Sequence, residues 1–579
     1  MRPVGRQAPP LPPGRRRLLL ALLALAGGVL AWRVVDLQLS ERVFLQGQGE
    51  ARTVRVVELP AVRGMIVDRR GEPLAVSTPV DSVWADPGPL LRARSRWPEL
   101  ARALGLSEAE LERRVAGHAG RSFVYLRRHL PPERARRVLA LEVPGVGVRR
   151  EYRRYYPTGE ASAHLLGFTD IDDVGQEGVE LAYDRRLRGR PGAMRVIRDR
   201  LGRVVEVVER LREPVPGEPL RLAVDRRLQY LAYRELKAAV RRHRALGGAV
   251  VLLDVATGEV LAMASQPGFN PNNRATLRRA ALRNRAVTDV FEPGSTVKPF
   301  TVAAALASGR FRPDTPVDTR PGWWRIGGYT VRDVRNHGLI TLREVVVVSS
   351  NVGAGKVALD LPPRALWEAF ARVGLGRPPG SGFPGEAAGR LPDPGRWYPV
   401  ERASFAYGYG LAVSALQLAR AYACLAAGGV LRPVSLLRRD GPAPGRRVME
   451  AAVAWEVSAM LEEAVAEGTG TAAAVRGYRV AGKTGTVRKV AAGGYAKDRY
   501  RALFAGFAPA SRPRLALVVV IDEPRAGGYY GGQVAAPVFA RVMEGALRLL
   551  DVAPDDLPGL GGRRLAAQGA APGGGGRGA

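Results

Sequence analysis

Between the triplet Arg15–Arg17 and the next charge, Arg33, lies an uncharged, strongly apolar run, Leu18–Trp32. A run of this kind directly after a basic cluster reads as a membrane segment and decides on which side of a bilayer the rest of the chain can fold. Fifteen residues rise only about 22 Å as a helix, short of a hydrocarbon core about 30 Å thick. Continuing through Leu39 gives about 33 Å, with Arg33 and Asp36 at the outer interface, where charge costs far less than at the bilayer centre. Arg2, Arg6 and the triplet all precede the span, which puts the N-terminus in the cytoplasm and the bulk of the chain on the periplasmic or extracellular side. The competing reading is a cleaved signal peptide, because Ala24-Leu25-Ala26 mimics an A-x-A site. It would leave only the six apolar residues Leu18–Leu23 before the site, fewer than the usual 7 to 15. A single-pass anchor is therefore expected.

A chain of 579 residues, 46% of them hydrophobic, can bury two or three cores. Its net charge of +33 raises nucleic-acid binding as a function. The arginines are spread along the whole chain, however, without a basic-aromatic tract or a nucleic-acid motif, so no nucleic-acid partner is expected. A compositional preference for arginine over lysine, useful at an anionic membrane surface, accounts for the charge. That preference makes the six lysines informative: Lys237, Lys298, Lys356, Lys483, Lys489 and Lys497. Arginine does not give up its proton in a protein, whereas lysine does when burial or a neighbouring cation lowers its pKa. The single Cys424 excludes an intramolecular disulfide and reads as a core thiol in an apolar helix. The five histidines show neither metal-ligand spacing nor a His-based triad, so no metal is expected.

The chain divides into five ranges. Residues 1–14 form a basic, Pro-rich cytoplasmic tail and 15–39 the transmembrane anchor. Residues 40–215 form a mixed α/β, Arg-rich pedestal in which Glu177 and Glu180 read as exposed carboxylates around a glycine turn. Pro214-Val-Pro-Gly217 marks a boundary. From 216 to 552, strands at Leu220–Asp225, Gly248–Asp254 and Val260–Ser265 come early, and strand-like runs at 478–490, 500–509 and 514–523 come late. Helical patterns lie between, and an amphipathic helix closes the range at Ala535–Leu550. That order predicts an α+β domain, an antiparallel sheet flanked by helices. Residues 553–579, rich in Gly and Ala, read as a disordered tail.

Within the second large domain, Glu292-Pro-Gly-Ser-Thr-Val-Lys-Pro299 delivers Ser295 through a Pro-Gly turn to the start of an apolar helix, Phe300–Ser308. Ser295 and Lys298 are three apart and share a helical face, so a hydroxyl sits beside a potential base at the positive end of a helix. The bland alternative is an N-cap serine with a surface lysine. Downstream stand Ser349-Ser350-Asn351, which alone would read as a cap or turn, and Lys483-Thr484-Gly485 on a predicted strand. An interior glycine weakens a strand unless another backbone must approach it closely.

The order and spacing of S-x-x-K, S-x-N and K-T-G resemble those of penicillin-binding proteins and serine β-lactamases. The flanking text resembles the septal class B penicillin-binding proteins, the FtsI family of cell-division transpeptidases, over roughly residues 15–552. It includes Asn284–Pro299, Ser349–Gly353, Phe405–Leu411, Tyr529–Gly532 and, in the pedestal, Arg63–Ala75, Arg154–Pro157 and Gly175–Glu180. The resemblance implies the penicillin-binding transpeptidase fold, with the pedestal corresponding to the dimerisation-type domain. It implies a serine acyl-enzyme made at the carbonyl between two D-alanines of a peptidoglycan stem peptide, with β-lactams as covalent inhibitors. Ser295 would be the nucleophile, Lys298 its base, Ser349 a proton relay, and Asn351 a hydrogen-bonding partner of the lysine or substrate. Lys483, Thr484 and Gly485 would hold the substrate's terminal carboxylate and backbone. The N–H groups of Ser295 and Thr486 would form the oxyanion hole. No cofactor is implied. Divisome membrane proteins, including a lipid-II glycosyltransferase, are the implied partners, at the division septum of the cytoplasmic membrane.

A D,D-carboxypeptidase, an elongation-type class B transpeptidase and a non-catalytic divisome scaffold are the alternatives. A β-lactamase would be about half this length and would need a deacylating base, for which no carboxylate motif is present. The span predicts that residues 40–579 stay in solution without detergent while the full chain sediments with membranes. External protease on spheroplasts should digest the catalytic domain; protection of that domain would show the orientation to be reversed.

Overall fold

The computed structural model describes residues 13–39, 54–198, 204–273, 275, 277–491 and 493–556. The expected tails at 1–14 and 553–579 fall largely outside these residues, as does the start of the expected pedestal, 40–53. Among the described residues one helix, α1 (Pro13–Leu39), is long and apolar enough to cross a membrane, and none of its most apolar window is buried against protein.

By their contacts the described residues form two compact units, neither continuous in sequence: those within 1–61 with 79–152 and those within 190–215, and 62–78 with 153–189 and those from 216 onward. Segments of the range read from sequence as one pedestal thus belong to the same unit as the catalytic sheet. The first unit holds an antiparallel three-stranded sheet, ordered Val54–Leu59, Gly192–Arg198, Val204–Arg212. It also holds a small core in which Leu100, Leu104, Leu111, Val115, Leu126 and Val138 are buried. Its helix Glu108–Ala116 starts at a capping box: the Ser107 hydroxyl accepts from the Glu110 N–H, and the Glu110 carboxylate accepts from the Ser107 N–H.

In the second unit, α2 (Arg226–Arg242) follows the N-cap Asp225, whose carboxylate accepts from the Arg227 N–H. The hairpin β1 (Gly247–Asp254) and β2 (Val260–Gln266) comes next, then the apolar helix α3 (Lys298–Ala307). The short hairpin β3 (Trp323–Ile326) and β4 (Tyr329–Arg332) precedes α4 (Asn351–Asp360) and α5 (Ala415–Ala426). Strands β5 (Ala481–Ala491), β6 (Gly494–Ala508) and β7 (Leu515–Asp522) and helix α6 (Ala536–Leu549) complete the domain. The five long strands form one antiparallel sheet in the order β2-β1-β7-β6-β5, so the last strand in sequence pairs with the first, and β5 is an edge. Every residue of β1 and β7 is buried, because helices cover both faces. Val250, Leu252 and Val519 face Leu228, Leu236, Phe539 and Val542 of α2 and α6, whereas Val251, Leu253 and Val518 join the core that contains α3 and α5. This is an antiparallel sheet between helical layers, the α+β fold expected.

Three local expectations change. The run read as a strand over Leu220–Asp225 is a strand only at Leu220–Arg221, because Asp225 leaves it to cap α2. The expected helix Phe300–Ser308 begins two residues earlier and ends at Ala307. Glu177 is exposed as read, but Glu180 is fully buried. Its carboxylate bridges Arg63 Nε at 2.7 Å and Arg154 Nε at 2.6 Å, and all three side chains have no exposure. Arg63 also reaches Asp184 Oδ1 at 2.8 Å and donates to the carbonyls of Glu180 and Asp173. Sequence spacing gave no sign of this cluster, because its members are 117 and 26 positions apart.

Guanidinium groups cannot shed their charge, so removing the carboxylate leaves the buried Arg154 without its ion pair and Arg63 with Asp184 alone. Glu180→Ala should lower stability by about 3–5 kcal/mol, read from the urea midpoint of the purified protein. Glu177→Ala, on the exposed side of the same turn, should stay within about 0.5 kcal/mol; equal effects of the two changes would contradict the role given to the buried cluster.

Candidate active site

The turn before Ser295 depends on glycine. Gly294 has φ +55°, and a Cβ there would lie 2.5 Å from Val487 Cγ2 on β5. Gly408 has φ +88°, its carbonyl accepts from the Gly294 N–H at 3.1 Å, and a Cβ on it would lie 2.1 Å from the Gly294 carbonyl oxygen. Two backbones therefore meet with no side chain between them. The turn enters a 3-10 segment, Gly294–Val297, that runs straight into α3. Ser295 stands in that tight turn rather than at the N-cap, and its side chain caps nothing. Buried hydrogen bonds hold the segment: Tyr422 Oη donates to the Thr296 carbonyl at 2.7 Å, and Thr301 Oγ1 to the Ala406 carbonyl at 2.8 Å.

Lys298, the first residue of α3, is fully buried. Its Nζ lies 2.5 Å from the Ser349 carbonyl oxygen, 2.8 Å from Asn351 Oδ1 and 3.3 Å from Ser349 Oγ. A surface lysine beside a capping serine is excluded by this burial. Desolvation, followed by the charge of Lys483, drives the Lys298 amine well below the ordinary lysine range, against a smaller opposing pull from Asp333.

The second motif sits at a helix start. Ser349 adopts φ +66°, a conformation that a residue with a side chain rarely takes and that costs on the order of 1–3 kcal/mol. Ser350 is the N-cap of α4: its Oγ accepts from the Gly353 N–H at 2.8 Å and donates to Asp333 Oδ2 at 2.6 Å. The other Asp333 oxygen accepts from the N–H groups of Asn351 and Val352, and Asn351 Nδ2 donates to the Arg332 carbonyl. Ser349 and Asn351 thus point toward Lys298, while Ser350 between them is structural.

Lys483 on β5 is also fully buried, and burial pushes its amine down to about 7. Its contacts are long: 3.3 Å to Thr469 Oγ1 and 3.4 Å to Thr484 Oγ1. The two threonine hydroxyls are 2.8 Å apart. Gly485 lies against the nucleophile turn: a Cβ there would be 3.0 Å from Thr296 Cγ2 and 3.1 Å from the Pro293 carbonyl oxygen. At this glycine the nucleophile turn itself packs closely on the strand. Thr486 Oγ1 accepts from the Gly531 N–H at 2.9 Å, which ties β5 to the loop carrying Tyr529 and Tyr530.

Ser295, Ser349, Asn351, Thr484 and Thr486 line one open cavity of about 2470 Å³, with Lys298, Lys483 and Gly485 behind its wall. Residues to which the sequence reading gave no role share the lining or support it. Tyr500 and Tyr529 stack at 4.1 Å, and Tyr409 meets Tyr495 edge to face at 5.3 Å. Asp333 and Thr469 belong to no sequence motif, and only the Gly468-Thr469-Gly470 context offered a hint of the latter.

Three separated stretches converging on one cleft of this fold define a penicillin-binding transpeptidase. Residues 248–544 match the penicillin binding protein transpeptidase domain, and 58–222 the penicillin-binding protein dimerisation domain. The peptidoglycan D,D-transpeptidase FtsI of Escherichia coli K12 is 45% identical over 549 residues, covering 94% of this chain and 93% of that one. The transpeptidase domain of Burkholderia pseudomallei penicillin-binding protein 3 is 44% identical with a TM-score of 0.54, over 58% of this chain and 98% of that one. Penicillin-binding protein 3 of Mycobacterium tuberculosis in complex with aztreonam reaches a TM-score of 0.67 at 27% identity, over 86% of this chain and 98% of that one. The chain belongs to the FtsI family of peptidoglycan D,D-transpeptidases.

The packing of Gly408 on Gly294 predicts that Gly408→Ala, which places a methyl group where a carbonyl oxygen now sits, displaces Ser295. Acylation by a labelled penicillin, followed by stopped flow, should slow at least about tenfold with secondary structure retained. A rate within twofold of the parent would show that the turn tolerates the displacement.

Proposed function

We propose that Ser295 is the acyl-enzyme nucleophile of a septal peptidoglycan cross-linking reaction and that Lys298 is its base. The observation that carries this reading is the Lys298 amine, buried and, among the described residues, without a carboxylate partner and hydrogen-bonded only to the second motif. In the neutral form it has two N–H bonds to give, to the Ser349 carbonyl and Asn351 Oδ1, and a lone pair left to accept a proton. Ser295 Oγ attacks the carbonyl carbon of the penultimate D-alanine, and its proton passes to Lys298. The tetrahedral oxyanion lies against the Ser295 and Thr486 N–H groups. As the C–N bond breaks, Ser349 hands the proton to the departing nitrogen of the terminal D-alanine. An amine from a second stem peptide then attacks the ester, loses a proton to the same relay, and leaves Ser295 as the free hydroxyl. Lys483 and Thr484 hold the terminal carboxylate of the donor; the edge position of β5 suits an added substrate strand. A β-lactam, a strained amide, follows the first half of this path and stops at the ester.

Helix α1 supports a single-pass anchor in the cytoplasmic membrane. The arginines before it favour a cytoplasmic N-terminus, with the catalytic domain on the outer side. The septal site of action, and divisome membrane partners including a lipid-II glycosyltransferase, rest on the family resemblance. Water in place of the acceptor amine would make the protein a D,D-carboxypeptidase.

Lys298→Arg separates charge from proton transfer, since a guanidinium with pKa above 12 cannot accept the serine proton. It should cut the second-order penicillin acylation rate about 10²–10⁴-fold, with Lys298→Ala and circular dichroism as controls for steric misfit and folding. A folded Lys298→Arg protein acylating within tenfold of the parent would rule out the lysine base. The same measurement across pH has a definite sign. The base form is the neutral amine, so acylation falls as pH drops through the lowered Lys298 pKa, and this acid limb must lie below the ordinary lysine value of about 10.4. An acid limb at 10 or above would contradict the burial argument.

A further inference from the structure

Two arginines of the catalytic domain lack the carboxylates that accompany Arg63 and Arg154. Arg420, on α5, and Arg432, just after the short strand Val430–Leu431, meet at a small cavity beside the turn of the β1–β2 hairpin. Arg420 Nε donates to the Arg432 carbonyl at 2.9 Å, and neither guanidinium makes an ion pair among the described residues. Arg432 is half-buried, but its Nε and Nη1 are shielded from solvent and have no hydrogen-bond partner. Glycines let the backbone close in on both side chains. A Cβ on Gly445 would lie 3.1 Å from Arg432 Cγ, and one on Gly374 would lie 3.3 Å from Arg420 Nη1.

The neighbouring acids are committed elsewhere. Asp254, where the hairpin turn begins, pairs with Arg514 at 3.1 Å, and Glu259, where it ends, pairs with Arg69 at 3.2 Å. Glu386, within electrostatic reach of Arg420, accepts from the N–H groups of Gly380 and Ser381. Burial accordingly lowers the Arg420 pKa below the usual arginine value, whereas that of Arg63 rises against its burial because Glu180 and Asp184 flank it. An arginine cannot escape by shedding its proton, and a cation withdrawn from water is destabilising unless an opposite charge accompanies it.

The cavity that both arginines line has a volume of about 10 Å³, and Leu253, Val255, Val430 and Val434 make much of its remaining wall. A cavity needs roughly 10–15 Å³ to admit one water-sized particle. This one is too small for a phosphate, a sulfate or a carboxylate, and its apolar side chains offer no counter-charge. What fits is a single atom, and what the guanidinium groups lack is a negative charge.

We infer that the cavity between Arg420 and Arg432 is a halide site, taken by chloride, whose ion supplies the counter-charge of the two arginines. Its apolar surroundings strengthen the attraction between ion and guanidinium. Held there, the ion ties α5 to the hairpin turn. Helix α5 also carries Tyr422, whose hydroxyl holds the Thr296 carbonyl, so the fastened helix is the one that braces the nucleophile turn.

The test uses the full-length protein in detergent, with chloride replaced stepwise by gluconate at constant ionic strength so that general screening is unchanged. The urea midpoint, read by tryptophan fluorescence, should rise with chloride along a one-site curve. Well above the dissociation constant, each tenfold increase in chloride should lower the unfolding equilibrium constant about tenfold. Crystals of the same preparation soaked in bromide should show an anomalous peak between Arg420 and Arg432. Arg432→Met keeps the stem and removes the charge, and should abolish both the chloride dependence and the bromide peak with circular dichroism unchanged. Arg432→Lys should restore part of the dependence, and Arg446→Met, at an exposed position of the neighbouring strand, should leave it intact. Equal midpoints in chloride and gluconate, or a dependence that survives Arg432→Met, would overturn the assignment. A bromide peak in the cavity without any chloride dependence would mark an adventitious ion only and overturn it as well. If Arg432→Met does not fold, the parent decides: a chloride dependence with bromide bound anywhere but this cavity refutes the site.

Discussion

The site is organised around one buried amine. Lys298 reaches backwards from the first turn of α3 to a carbonyl, a hydroxyl and an amide oxygen of the second motif, more than fifty residues later in the chain. Burying an ammonium group away from a counter-charge is so costly that the group gives up its proton instead. The same burial that fixes the position of the amine therefore makes it a base. Lys483, a second buried lysine nearby, adds a repulsive charge that pushes Lys298 further in the same direction.

Such burial requires backbones to come unusually close. Gly294, Gly408 and Gly485 stand where a carbonyl or another segment occupies the space of a Cβ. The nucleophile turn is thereby pressed between the Phe405–Leu411 loop and β5, with Ser295 at its open side. Its position in a 3-10 turn, rather than at a free helix end, follows from this compression. Asp333 completes the arrangement from the side by holding the start of α4, which lets Ser349 keep an unfavourable backbone conformation with its oxygens toward Lys298.

The same domain buries charge in two opposite ways. Around Glu180 the cations are arginines, which keep their protons under any condition the protein meets, so carboxylates must accompany them. Around Ser295 the cations are lysines and no carboxylate pairs with them; the nearest, Asp333, is committed to Ser350 and to the N–H groups of α4. The first solution makes a permanent, rigid joint. The second leaves a group that can take up and release a proton.

Much of this was legible in the sequence. The long apolar run, the three motifs, the strands at both ends of the domain and the helices between them are local patterns, set by periodicity, turn chemistry and residue type. The retention of lysine at 298 in a chain that otherwise prefers arginine pointed to proton chemistry before any distance was known. What the sequence could not give were relations between segments far apart along it. Glu180 looked like a surface carboxylate because its two arginines lie elsewhere in the chain; the packing of the nucleophile turn against Gly485 leaves no trace in its own strand; Asp333 carries no local signature, and Thr469 only its flanking glycines. The chain alone fixes which groups are able to do the chemistry, since ionisation and backbone freedom belong to residue types. Only the folded domain decides which of them are buried, which are paired and which face the cleft, because desolvation and proximity are properties of the packed whole.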